Sequence, residues 1–181
     1  MSDLKHAASR LGGVDDLEAL RRRGRDRLLE QHVVSHIEKR ERGLAVQFEL
    51  GKKHTGTFSS NEVDQLVEQG NRWLDAGALQ LVVEARESAC GVGLFNDRGE
   101  FNAAFADRFA DAFGLSTVMF EAPNKASQFR LLDHFGPEVH LSNVRLEEIL
   151  RVEIYRRGLH SDAFLNPKLR PQLPGACAKE A

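Results

Sequence analysis

The sequence has little cysteine, no long apolar run and almost no net charge. Its 181 residues include two cysteines, Cys90 and Cys177, which are too few for a disulfide scaffold and fit a reducing compartment. No run of about 18 apolar residues is present, so a membrane-spanning helix is not expected. The first residues contain no apolar core of a secretion signal. These absences predict a cytoplasmic protein that does not associate with membranes.

The chain also lacks the usual patterns for nucleic acids, zinc and dinucleotides. It carries 25 Lys and Arg against 27 Asp and Glu, for a formal net charge of −2, so a nucleic-acid partner is not expected. The zinc-binding spacings CxxC and HExxH do not occur. The sequence CGVG at 90–93 follows a predicted strand but lacks the third glycine of a dinucleotide-binding loop, so it is a weak match.

Apolar segments rich in β-branched residues alternate with amphipathic segments along most of the chain. The pattern predicts strands over 44–50, 79–85, 116–122 and 139–144. It predicts helices over 60–76, 101–113, 125–135 and 145–158. Repeated strand–helix units indicate an α/β fold with a parallel sheet. A doubly wound sheet and part of a (β/α)₈ barrel both fit this order.

Composition divides the chain into three parts. Residues 1–14 are small and polar and are expected to form a flexible leader. Residues 15–165 begin with an arginine-rich helix at about 17–42, whose charges are expected to face solvent rather than to form an anion-binding arm, and then carry the βα units. Residues 166–181 contain three of the five prolines and are expected to form a flexible tail.

Carboxylates end three of the predicted strands. They are Glu49, Glu84 and Glu121. The carboxyl ends of parallel strands meet on one edge of a sheet, so these side chains are expected to lie together. A single glutamate at such a place is typical of a surface ion pair, but three in register favour a Mg²⁺ site.

Cationic and amide side chains follow the same strand ends. Lys53 follows the first strand, and a lysine beside other cations has a lowered pKa that suits acid–base chemistry. Arg86 follows the second strand and either binds an anion or pairs with a neighbouring glutamate. Lys125 and Asn143 follow the last two strands, where barrels often bind phosphate.

Taken together, these motifs resemble the phosphosulfolactate synthase family. Plant heat-stress-associated proteins resemble the same family. The stretches that carry the resemblance are FELGKK (48–53), DAGALQLVVEARES (75–88), GLFNDRGE (93–100), VMFEAPNKASQ (118–128), FGPEVHLSNV (135–144) and VEIYRRGLHSDAF (152–164).

The resemblance implies a TIM-type barrel, of which this sequence matches strands five to eight. It implies the Mg²⁺-dependent addition of sulfite to phosphoenolpyruvate, giving (2R)-phospho-3-sulfolactate, an early step towards coenzyme M in methanogens and towards sulfolactate in some bacteria. By the resemblance, Lys53 is the candidate proton donor. The other expected roles are catalysis for Glu49, metal binding for Glu84 and Glu121, and substrate binding for Arg86, Lys125, Asn143 and Arg157.

Several positions depart from the family pattern on the expected site rim. They are His140, His160, Ala163 and the pair Ala89 and Cys90 in the loop after EARES. The chain is therefore expected to be an active lyase, a non-catalytic relative with an interaction or stress-related role, or one subunit of a split barrel.

Half a barrel is expected to associate with other protein chains. Its outer strands leave unpaired backbone groups. Its inner face, predicted to carry Val46, Phe48, Val82, Val118 and Phe120, lacks an opposing half. We therefore expect a homo-oligomer or a complex with a separate N-terminal half.

Overall fold

The computed structural model describes residues 45–51, 56–86 and 88–170, and the described strands and helices lie in the unit Gln47–Ala181. The strands are β1 (Gln47–Leu50), β2 (Gln80–Val83), β3 (Val118–Glu121) and β4 (His140–Ser142). The main helices are α1 (Ser60–Asp75), α2 (Ala103–Phe113), α3 (Lys125–Phe135) and α4 (Ile149–Arg156). The predicted strand–helix alternation is confirmed.

The four described strands form one parallel sheet in the order β1-β2-β3-β4. The strands lie in the sheet in the same order as in the chain, so each new strand is added on the same side of the one before it. Because βα connections are right-handed, such a sheet places its helices on one face. A doubly wound sheet would reverse direction at a switch point. The arrangement matches a segment of a (β/α)₈ barrel, in agreement with the predicted fold class.

The side of the sheet that faces the helices is apolar. Phe48 of β1 stacks on Trp73 of α1 with ring centroids 4.3 Å apart, and Phe120 of β3 stacks on Phe135 of α3 at 5.2 Å. Val118 is paired beside Leu81 in the same row as Phe48. The prediction that Phe48, Val118 and Phe120 face the barrel interior is therefore wrong. Alternation separates two faces of a strand but does not say which face the helices cover.

The opposite face of the sheet carries polar side chains. Gln47 donates through Nε2 to Oε1 of Gln80 at 2.5 Å, and Nε2 of Gln80 lies 3.4 Å from Nδ1 of His140. Gln47 also reaches Sδ of Met119, at 3.8 Å. A barrel closed around this face would therefore enclose amides and an imidazole as well as apolar groups.

Helix α1 begins at a capping box. Ser59 accepts from the backbone N–H of Glu62 through Oγ, and the Glu62 carboxylate accepts from the backbone N–H of Ser59 at 2.8 Å. The exchange satisfies two donors that a helix start leaves unpaired. The N-cap residue of α1 is thus Ser59. It fixes the point at which the chain turns from the β1 loop into the helix layer.

The ends of the domain are described only in part. The leader predicted at 1–14 and the arginine-rich helix lie outside the described residues. The tail predicted at 166–181 is described as far as Arg170. Within that part Leu169 is buried, and Lys168 donates through Nζ to the carbonyl of His134 at 2.6 Å. Among the residues that the structure describes, no helix is long and apolar enough to cross a membrane.

Candidate functional site

Three carboxylates meet at the carboxyl ends of adjacent strands. Glu49, Glu84 and Glu121 each offer an oxygen, and these oxygens lie within 4.8 Å of one another. Strand register explains the meeting, because Glu49 is paired beside Val82 and therefore shares a face with Glu84 two residues further on. We call these three residues the carboxylate cluster. The predicted convergence is confirmed, whereas the separate roles of its members stay predictions.

Glu84 is the buried member of the carboxylate cluster. Only 3% of the surface of residue Glu84 is exposed to solvent. Burial raises the pKa of the Glu84 carboxyl, and the negative charges of Glu121 and Glu49 raise it further, although a hydrogen bond from the backbone of Arg86 acts in the opposite direction. The ionised cluster is therefore electrostatically unfavourable by itself, and it favours a proton or a cation.

Glu121 is held in place by main-chain donors of the neighbouring strand end. Its Oε2 accepts the backbone N–H groups of Ala85 and Arg86, each at 2.9 Å. The N–H of Arg86 also lies 2.9 Å from Oε1 of Glu84. The sequence left open a pairing of Arg86 with Glu84 or Glu121, and the structure shows that the main chain of Arg86 makes these bonds.

Two glycines let the backbone close around Glu84. Gly93 has φ +57°, and a Cβ there would lie 2.3 Å from the carbonyl oxygen of Glu84. Gly51 has φ +117°, and its Cβ would lie 3.0 Å from Cβ of Glu84. Only glycine fits such positions without displacing the chain. Gly93 belongs to the CGVG stretch, which here packs against a site residue.

The cationic residues that were predicted for the site are not grouped as closely as the three carboxylates. Lys53 lies outside the described residues. Nζ of Lys125 lies 3.4 Å from the carboxylate of Asp162 and 5.0 Å from the ring centre of Phe129. Arg157 is exposed, directly follows α4 and binds Glu153 at 2.6 Å. Lys125 and Arg157 thus have acidic partners, and their substrate-binding roles stay predictions.

The strand that ends beside Glu121 adds two polar residues. Asn143 directly follows β4 and has φ +55°, a conformation that asparagine tolerates better than most residues. Ser142 is paired beside Glu121, and its hydroxyl is buried with no hydrogen-bond partner among the described residues. The sequence did not assign a role to Ser142. Alternation along VHLSNV places Ser142 on the face of His140, and this alternation could have identified it as a site residue. Nothing in the sequence marks the backbone amides of Ala85 and Arg86.

Comparison with known proteins gives one consistent family. The profile of the (2R)-phospho-3-sulfolactate synthase (ComA) family matches residues 17–162. A phosphosulfolactate synthase of Methanocaldococcus jannaschii is 35% identical over 125 residues, which are 69% of this chain and 50% of that protein. Those of Methanothermobacter thermautotrophicus and Bacillus subtilis are 34% and 31% identical, over 68% and 64% of this chain and 48% and 46% of the relatives.

This chain spans about half the length of the curated relatives that it matches. The match covers all four described strands and the carboxylate cluster. By its sequence and by its parallel βα architecture, the chain belongs to the phosphosulfolactate synthase family.

Proposed function

We propose that this chain takes part in the Mg²⁺-dependent addition of sulfite to phosphoenolpyruvate, giving (2R)-phospho-3-sulfolactate. The observation that carries the proposal is the carboxylate cluster, which lies at the carboxyl ends of three adjacent parallel strands in a member of this family. That edge is where barrel enzymes place their catalytic groups.

The carboxylate cluster suits magnesium. Carboxylate oxygens are the hard ligands that Mg²⁺ prefers, and the described residues offer no thiol or imidazole beside them in the cluster. The raised pKa of Glu84 supports the assignment, because a divalent cation would offset the repulsion among the three charges. When bound, the ion would stabilise the negative charge that develops on the substrate carboxylate.

The remaining chemistry is assigned to side chains of this chain. The sulfur of sulfite attacks the methylene carbon of phosphoenolpyruvate, and a carbon–sulfur bond forms. The electron pair of the carbon–carbon double bond moves to the adjacent carbon and its carboxylate. A proton then adds to the carbon that bears the phosphate, and Lys53 is the proposed donor. Atoms and charge balance with one proton consumed for each sulfite dianion.

Anion contacts are assigned to the cationic and amide residues near the strand ends. Arg86 is the strongest candidate, since its own backbone N–H touches the carboxylate cluster. Lys125 and Asn143 follow β3 and β4 and are proposed to contact the phosphate. Arg157 is the weakest candidate, because it is exposed and bound to Glu153 of α4. His140, His160 and Ala163 are the positions at which substrate preference is proposed to differ within the family.

A second candidate is that the site acts only in an assembly. In the described sheet β1 and β4 are the outer strands, and each has a strand neighbour on one side only. Closing a barrel requires further strands, from a second copy or from a separate N-terminal half. A non-catalytic relative would have the same architecture, but no assembly that contains it would turn over the substrate.

Phosphorus NMR tests the reaction. The purified chain, at a concentration high enough for self-association, is incubated with phosphoenolpyruvate, sulfite and Mg²⁺. A new organophosphate resonance that requires Mg²⁺ is expected from the wild type and from Glu68→Gln, a matched control on the surface of α1. It is expected to be absent from Glu84→Gln. No product from the folded wild-type chain, alone or with a family N-terminal half added, would count against catalysis and favour the non-catalytic reading.

A further inference from the structure

Glu121 makes contacts that metal binding does not require. A single oxygen, Oε2, accepts two successive backbone N–H groups, those of Ala85 and Arg86, each at 2.9 Å. The acceptor comes from β3, whereas both donors follow β2. The bonds therefore tie the ends of two neighbouring strands together at the rim of the site.

The residue held by these bonds has an unusual backbone. Arg86 has φ +55°, in the left-handed region that non-glycine residues seldom occupy. Such a conformation persists only where surrounding contacts fix it. The direction of a Cα–Cβ bond follows the backbone, so a relaxed Arg86 would send its exposed side chain elsewhere.

We propose that Glu121 is a positioning residue that fixes the left-handed backbone of Arg86 and thereby directs its guanidinium at the anionic substrate. The inference rests on the proposed function, in which Arg86 contacts phosphoenolpyruvate. The proposal explains why Arg86 keeps a left-handed backbone. A guanidinium held in a fixed direction can bind a carboxylate or phosphate in a bidentate manner.

The proposal and simple electrostatics predict opposite signs. Removing the negative charge of Glu121 should by itself strengthen anion binding. If Glu121 positions Arg86, truncating it should weaken anion binding, since the guanidinium loses its direction. Glutamine removes the charge but keeps an oxygen that can accept both N–H groups. The two effects can therefore be separated with two substitutions at one position.

Calorimetric titration of phosphoenolpyruvate into the full chain, with EDTA present to exclude metal effects, tests the inference. Glu121→Ala is expected to weaken binding about tenfold or more, whereas Glu121→Gln should bind at least as tightly as the wild type. Arg86→Ala should also weaken binding. The double variant should bind no more weakly than Arg86→Ala alone, because the positioning effect of Glu121 acts through Arg86 and only the loss of its negative charge remains.

Several outcomes would overturn the inference. Tighter binding by Glu121→Ala, or equal weakening by that substitution with and without Arg86, would show that Glu121 does not act through the guanidinium. If Glu121→Ala fails to fold, Glu121→Asp withdraws the acceptor while keeping the charge, and it should still weaken binding.

Amide hydrogen exchange separates this inference from the proposed function. The Ala85 amide should exchange faster in Glu121→Ala and stay protected in Glu121→Gln. An unchanged rate in Glu121→Ala refutes the positioning bonds whatever the substrate is. Failure of the wild-type chain to bind phosphoenolpyruvate, with normal protection of Ala85, refutes the substrate instead, and with it the role of Arg86 in binding that anion.

Discussion

Replacing Glu84 by glutamine is expected to stabilise the metal-free protein while removing its response to magnesium. Two unit charges 4.8 Å apart, the outer limit within the cluster, repel by about 0.9 kcal/mol in water and by about 3.5 kcal/mol at an effective dielectric constant of 20. Glu84 is only 3% exposed, which places it nearer the second value. The free energy of unfolding should therefore rise by about 1–3 kcal/mol at a pH above the raised pKa of Glu84, where its carboxyl is ionised.

The free energy of unfolding should depend on pH with a defined sign. The raised pKa of Glu84 means that the folded state holds a proton above the ordinary carboxyl pKa of 4.5, where the unfolded state has released it. The folded state then binds more protons, so stability falls as the pH rises from the ordinary pKa through the raised one. Glu84→Gln has no such proton, and its stability should vary less with pH over this range.

Urea unfolding followed by the fluorescence of Trp73 measures both effects. The single tryptophan stacks on Phe48 and so reports the packing of α1 on the sheet. Magnesium at a hundredfold excess over its dissociation constant should add about 2.7 kcal/mol to the wild type and little to Glu84→Gln. Glu68→Gln, which removes an exposed partner of Arg72, should change stability by less than about 0.5 kcal/mol and keep the magnesium response. A less stable Glu84→Gln, or one with the wild-type magnesium response, would refute the reasoning.

Further tests address the proton donor, the metal, the backbone and the assembly. In an active assembly, Lys53→Ala should lose about 10²–10⁴ in turnover while Lys52→Ala keeps most of it, and equal rates would remove Lys53 as the acid. Calorimetry should give weak Mg²⁺ binding that strengthens with pH, because the metal displaces the Glu84 proton; tight stoichiometric zinc with no magnesium response would contradict this. Gly93→Ala should lower the urea midpoint clearly more than Gly99→Ala, whose Cβ meets its nearest atom only at 3.8 Å, and equal losses would show that the loop adapts. Sedimentation equilibrium at micromolar concentration should give a dimer or larger species, and a monomer whose unfolding is independent of concentration would show that the outer strands need no partner.

The order of elements was predictable because its signals are local. Hydrophobic periodicity located all four βα units. The meeting of Glu49, Glu84 and Glu121 was also predictable, since it requires only parallel strands with a carboxylate at the same end.

The direction in which side chains face was not predictable from the same patterns. Phe48 and Phe120 were assigned to the wrong face, because alternation separates the two faces of a strand without identifying the one that the helices cover. The hydrogen bonds from the amides of Ala85 and Arg86 to Glu121 depend on the path of a loop. Such contacts arise from tertiary packing, and no spacing in the sequence encodes them.

Electron paramagnetic resonance with Mn²⁺ in place of Mg²⁺ tests the central claim most directly, since it detects the metal site without requiring turnover. The wild-type chain should bind one Mn²⁺ per chain in competition with Mg²⁺, and phosphoenolpyruvate should alter the spectrum of the bound ion. Glu84→Gln should bind none at the same concentrations, whereas Glu68→Gln should bind as the wild type does. Equal Mn²⁺ binding by wild type and Glu84→Gln would contradict the assignment of the carboxylate cluster as the metal site of this protein.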